Sequence, residues 1–164
     1  MKVLVPVDGS QAALAALLHV ASLAHAGIAV ETLLLNVQPR FPRHVGQFTS
    51  RAARDALRAE RSAAAMAPAI EALSRTHLSF RVVSELGDVA ARIAAVATRE
   101  QVDEIVMGTG RHPQWLRWLN PSIAQAVMER TDIPVTVLAR GRAGALERYA
   151  LPAGLAGLAA LLLT

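Results

Sequence analysis

Residues Lys2–Gly27 read KVLVPVDGSQAALAALLHVASLAHAG. The opening KVLVPV is an almost unbroken aliphatic and β-branched run, the composition of a strand covered on both faces. Asp8-Gly9-Ser10 is a turn signal. Ser10 stands where a helix N-cap belongs, ahead of an Ala/Leu-rich run, and Gly27 stands where such a helix stops. A doubly covered strand that feeds straight into a helix is the first half of a βαβ unit. It predicts a parallel sheet sandwiched between helices.

The same alternation runs outward from this stretch. IAVETLLLNV (28–37) reads as the second strand, closed by Pro39, and QPRFPRHVGQFTS (38–50) as a loop with two prolines and a glycine. SRAARDALRAERSAAAMAPAIEALSRT (50–76) is a long amphipathic helix with arginines and acids at helical spacing. Pro68 is expected to kink or divide it. LSFRVVSEL (78–86) is a third strand, GDVAARIAAVATREQ (87–101) a turn and a helix beginning at Asp88, and VDEIVMG (102–108) a fourth strand. SIAQAVMERTD (122–132) is a fourth helix, and Pro134 opens a fifth strand, PVTVLAR. Right-handed crossovers turn this order into a doubly wound α/β domain, a five-stranded parallel sheet with helices on both faces. Ligands in such sheets sit beyond the carboxyl ends of the strands. Those ends are Asp8-Gly9-Ser10, Val37-Gln38-Pro39, Gly87-Asp88 and Gly108-Thr109-Gly110.

Composition narrows the function. The 164 residues suffice for one domain with a real core, and 53% hydrophobic against 18% charged residues describes a folded chain. Without cysteine, disulfides, thiolate chemistry and cysteine-ligated zinc are excluded, and an intracellular setting fits. The net charge is +4 with Lys2 the only lysine, but the arginines are interspersed with acids. No basic stripe of the kind nucleic acid needs is readable. Pro6 and Asp8 interrupt the N-terminal apolar run, so no signal peptide is expected, and no run reaches the ~20 apolar residues of a membrane span.

VLVPVDGS (3–10), GDVAARIAAVA (87–97) and DEIVMGT followed by SIAQAVMERTDIPVTVL (103–109 and 122–138) resemble the universal stress protein family, in order and spacing, from Lys2 to Arg140. The resemblance implies a domain over 1–140 with flavodoxin-like layering, of the adenine nucleotide alpha hydrolase-like kind. It also implies a cytoplasmic stress-response protein and a homodimer joined through the last strand (134–139). Residues 141–164 form a hydrophobic extension outside it. Nucleotide-binding members carry G-x2-G-x9-G-[S/T] after the fourth strand. Here the pattern falls on Gly108, Arg111, Pro121 and Ser122, with Gly110 one place early. Asp8 matches an acid that contacts adenosine in such relatives. The implied nucleotide site is Asp8, Val37, Gly108, Thr109, Gly110, Arg111 and Ser122, and its ligand is ATP or AMP with Mg.

Two glycine positions of that loop are substituted. Phosphate is held by backbone N–H groups at a helix N-terminus, so the chain must approach it closely. A side chain at Arg111 obstructs the approach if φ must be positive, and Pro121 has no N–H. NPS (120–122) is also simply a good helix start. Conversely, Arg111, His112 and Arg117 can meet phosphate with side chains, and Ser122 keeps a hydroxyl. Trp115 and Trp118, in WLRWL, complete a satellite core, form a patch for a protein partner, or offer a platform for a base. Asp8 either holds a ligand hydroxyl or amine, or caps the first helix. The histidines share no metal-ligand spacing, and no nucleophile–base–acid arrangement is readable. The expected function is a dimeric regulatory binding protein with a degraded nucleotide loop, with at most weak ATP hydrolysis. The alternative is an ATP- or AMP-binding switch. In the tail, Leu151, Leu155, Leu158 and Leu162 share a helical face, expected to pack on the domain or on a second subunit.

Overall fold

The computed structural model describes residues 1–39, 50–76, 78–109 and 123–139. In chain order the elements are β1 (Lys2–Pro6), α1 (Gln11–His25), β2 (Glu31–Gln38), α2 (Arg51–Ser74), β3 (Ser79–Leu86), α3 (Val89–Arg99), β4 (Glu104–Thr109), α4 (Ile123–Met128) and β5 (Val135–Ala139). All strand pairings are parallel and the sheet order is β3-β2-β1-β4-β5. The doubly wound five-stranded sheet expected from the sequence is the observed architecture.

Alternation along each strand divides the core in two. Val3, Val5, Leu34 and Val106 point to one face, where α1 brings Ala13, Ala16, Leu17 and Val20 and α2 brings Met66, Ala69 and Leu73. Leu4, Leu33, Leu35, Ile105 and Met107 point to the other, against Ile93, Val96 and Ala97 of α3 and Ala124 and Val127 of α4. The near-continuous apolar runs of β1, β2 and β4 are therefore what two-sided burial requires. At the amino end of the sheet the chain is tied down. Lys2 N–H donates to Asp103 Oδ2 at 2.6 Å, Lys2 Nζ to the Glu100 carbonyl at 2.9 Å, and Asp103 N–H to the Lys2 carbonyl at 2.8 Å.

Two sequence expectations are corrected. Pro68 does not divide the long helix: α2 is one element of 24 residues. The carbonyl that Pro68 leaves without a donor belongs to Ala64 on the exposed face, where water can take it, while Met66, Ala69 and Leu73 anchor the helix on both sides of the proline. The third strand is an edge, with Arg81, Val82 and Ser84 exposed. The fourth helix is shorter than its sequence pattern, ending at Met128. Among the described residues, no helix is long and apolar enough to cross a membrane.

Candidate functional site

The chain leaves β1 through α1 on one face of the sheet and leaves β4 toward α4 on the other. Adjacent strands whose connections depart to opposite faces open a crevice at their carboxyl ends. Here that crevice lies above the β1–β4 junction.

Its β1 rim is the turn Asp8-Gly9-Ser10. Asp8 is exposed, and its Oδ1 accepts the Ser10 N–H at 2.9 Å. Ser10 Oγ in turn accepts the Ala13 N–H at 3.2 Å, making Ser10 the N-cap of α1. Asp8 thus shapes the turn and does not cap the helix, and its second carboxylate oxygen has no partner among the described residues. Gly9 adopts φ +81°, and a Cβ there would lie 3.3 Å from Ala65 Cα of α2, so this turn needs glycine both for backbone sign and for space.

The β2 rim is held by side chains that the sequence reading passed over. Asn36 is 2% exposed, and its Nδ2 donates to the Val7 carbonyl at 2.7 Å. Gln38 Nε2 donates to Asn36 Oδ1 at 2.8 Å. These bonds continue the β1–β2 ladder one step past its last backbone bond, Val7 N–H to Leu35 O at 2.8 Å. The only hint in the sequence was a polar pair interrupting the aliphatic run of β2.

Val37 sits between that pair, half-buried. The Leu35 carbonyl faces β1, and the Gln38 carbonyl faces β3, where it accepts the Gly87 N–H at 3.0 Å. Alternation along the strand turns the N–H and C=O of Val37 toward β1, above the level at which β1 has already ended opposite Leu35. A backbone donor and acceptor therefore stand side by side at the crevice, matched to the edge of a flat heterocycle that offers both groups.

Gly108 forms the β4 side, and its glycine has a reason independent of any ligand. A Cβ built on Gly108 would lie 1.7 Å from the Ala12 carbonyl oxygen, because the first turn of α1 lies directly on β4. Thr109 follows as the last residue of β4, paired with Ala139. Asp8, Val37, Gly108 and Thr109 thus share the carboxyl edge of neighbouring strands. Gly87 and Asp88 lie at the far edge beyond β3, where Asp88 caps α3 by accepting the Ala91 N–H at 2.9 Å. Gly110, Arg111 and Ser122, with His112, Trp115, Arg117, Trp118 and Pro121, lie outside the described residues, as does the tail. Among the described residues no three His, Asp or Glu side chains are grouped to hold a metal ion.

A wall rises on the α2 side. The buried residues of α2, Met66, Ala69 and Leu73, all fall in its second half, and Ser62 Oγ meets Ser84 Oγ of β3 at 2.8 Å. The first half of the helix therefore stands beyond the carboxyl edge of the sheet. There Arg58 Nη1 donates to Asp55 Oδ1 at 2.8 Å, and Arg51 Nε lies 3.9 Å from Asp55 Oδ2.

The model of the universal stress protein family matches residues 1–139 of this chain. No curated protein matches at a significant level. Among solved structures, the hypothetical protein MJ0577 is similar at 27% identity and TM-score 0.68, with 87% of this chain and 97% of that one covered. A universal stress protein family protein from Arabidopsis thaliana with AMP bound is similar at 16% identity and TM-score 0.60, covering 86% and 92%. A universal stress protein in complex with cAMP is similar at 18% identity and TM-score 0.60, covering 84% and 96%.

Proposed function

This chain belongs to the universal stress protein family, and on that footing we propose that it is a cytoplasmic, dimeric regulatory protein whose carboxyl-edge crevice takes an adenine nucleotide without turning it over. What supports this reading is that the Val37 N–H and C=O turn toward β1 past its last strand pairing, and that the exposed Asp8 follows the end of that same strand. The first suits the edge of adenine, which carries a ring acceptor beside an amino donor. The second suits ribose hydroxyls, which a carboxylate can accept from at little cost when it stays solvated. AMP and cAMP bound to relatives of the same fold are consistent with a ligand of this class.

Catalysis has less support. Among the described strand ends at the crevice the ionisable side chain is Asp8, and one of its oxygens is engaged in a turn. Its role is to bind and orient. The output then runs through a partner or a second subunit rather than through a reaction product.

Calorimetric titration with adenosine, AMP and ATP, with guanosine as control, tests the reading. Binding of the adenine series is expected, with Asp8→Ala weakening it about tenfold, the ~1.4 kcal/mol scale of one charge-assisted hydrogen bond. Asp8→Asn should keep the turn, because its amide oxygen still accepts the Ser10 N–H, while weakening ribose contact. Equal affinity for guanosine and adenosine, or none for either, would refute it.

A further inference from the structure

The sheet has an open margin at β3. Among the described strands β3 has β2 as its one neighbour, and the two stay paired from Ser79 opposite Glu31 to Leu86 opposite Gln38. Just past β3, the Gly87 N–H turns inward to the Gln38 carbonyl. Backbone groups alternate in direction along a strand. Arg81, Val83 and Glu85 therefore direct their N–H and C=O groups to β2, while Phe80, Val82, Ser84 and Leu86 turn theirs outward. Arg81, Val82 and Ser84 are exposed along this edge. A long uncovered edge is a template for another strand.

The order of side chains selects the strand that fits. Arg81, Val83 and Glu85 share one face of β3, where Val83 packs on the core beneath α3 and Glu85 meets Arg99 at 2.9 Å. Opposite charges thus stand at equal distances on either side of Val83. A second copy of β3, antiparallel and centred on Val83, sets Arg81 against the partner's Glu85 and Glu85 against the partner's Arg81. Backbone parity agrees with this register. The outward-turned residues fall in hydrogen-bonded pairs, Phe80 with the partner's Leu86 and Val82 with the partner's Ser84. The charged pairs fall at the positions between, where side chains of antiparallel strands come closest. A slip of one residue sets outward backbone groups against inward ones. A slip of two sets Arg81 against Val83 or Gly87 and loses the charge match. Arg81 need not leave its own chain: it gives one hydrogen bond to Glu100, its side chain is 51% exposed, and a guanidinium has further N–H donors.

We propose that β3 pairs with β3 of a second copy, antiparallel about Val83, so that two sheets run on as one. The proposal is independent of the nucleotide reading and uses the margin opposite β5. Solvated ion pairs contribute little, and one strand pairing covers less than the ~1,000 Å² of a lasting interface. The contact therefore fills only as the chain is concentrated.

Two readouts test it on the full chain. Light scattering across a concentration series should give a mass that keeps rising, and Val82→Pro should abolish the rise. The Val82 N–H points away from β2, so proline there removes a bond to the second copy and none within the chain; thermal melts check that fold. The second readout uses the absence of cysteine from the chain. Val83→Cys puts one thiol on the axis, facing its own copy within disulfide reach, whereas Val82→Cys faces the partner's Ser84 and lies diagonal to its own copy. On mild oxidation Val83→Cys should give a two-chain band about tenfold faster than Val82→Cys, whatever holds at β5. A constant mass in the unaltered chain, or a folded Val82→Pro variant whose mass rises as before, overturns the proposal. So does a Val83→Cys chain that stays single on the gel or crosslinks no faster than Val82→Cys.

Discussion

At the scale of single residues, the most informative substitution is Gly108→Ala. The added methyl group would sit 1.7 Å from the Ala12 carbonyl oxygen, a backbone atom that cannot swing aside. We predict destabilisation of ~3 kcal/mol or more in urea unfolding without any ligand, through forced separation of α1 from β4. A loss under ~1 kcal/mol would mean that the helix can lift off the strand and that the packing account is wrong. The case also marks what was legible in the sequence. Gly108 was picked out by its spacing to Ser122, but spacing cannot tell a glycine that admits a ligand from one that admits a helix. Asp8 and Val37 were found from strand ends, and in the structure Asp8 follows β1 by two residues while Val37 is the last residue but one of β2. Asn36 escaped notice because one buried amide in an aliphatic strand has no period and no motif. Its meaning lies in the Val7 carbonyl, 29 positions away in the chain.

At the scale of elements, β3 and α3 are joined by charge. Glu100 bonds Arg81 across from the strand and also faces Lys2, 3.7 Å away, while Glu85 of β3 meets Arg99 at 2.9 Å and Arg92 at 3.9 Å. The hydrogen bond from Arg81 holds the Glu100 carboxyl below the usual carboxylate range, against an opposing contribution from desolvation. A carboxyl with a lowered folded-state pKa adds stability above its unfolded pKa and loses it as pH falls through the folded one. The melting temperature should therefore fall between about pH 5 and pH 3, and Glu100→Gln should flatten that part of the profile. Salt should shrink the difference, since the Arg81 and Arg99 ends of these pairs are half exposed; identical acid profiles for the two proteins would remove Glu100 from the account. The elements themselves were readable because their cues are local: Ser10 caps the helix it was placed before, and Asp88 caps the one at whose start it was placed. Whether Pro68 splits α2 was not local. It depended on which carbonyl lost its donor and on the anchoring residues beyond.

At the scale of the whole molecule, the sheet is open at β5, whose one neighbour among the described strands is β4. Val137 on that strand is 39% exposed, and Ile123 and Met128 of the adjoining α4 are 48% and 49% exposed. An uncovered edge beside apolar side chains is what a second copy would cover. On the dimer proposed above, Val137→Arg is predicted to lower the mass in light scattering to that of one chain, and an unchanged dimer mass would place the contact elsewhere. The order β3-β2-β1-β4-β5, and with it the crevice at β1 and β4, was not legible in the sequence and comes from the structure. Hydrophobic runs name strands but not their neighbours. One further consequence belongs to this scale. The amino end of the sheet is closed by the Lys2, Glu100 and Asp103 bonds, while at the carboxyl end the Val37 amide lies above the end of β1. Deuterium uptake should therefore run as a gradient along each strand, slow at the tied end and fast at the other. A bound ligand would bridge the loose ends and level that gradient, so the molecule carries within its own amide exchange a gauge of whether its crevice is filled.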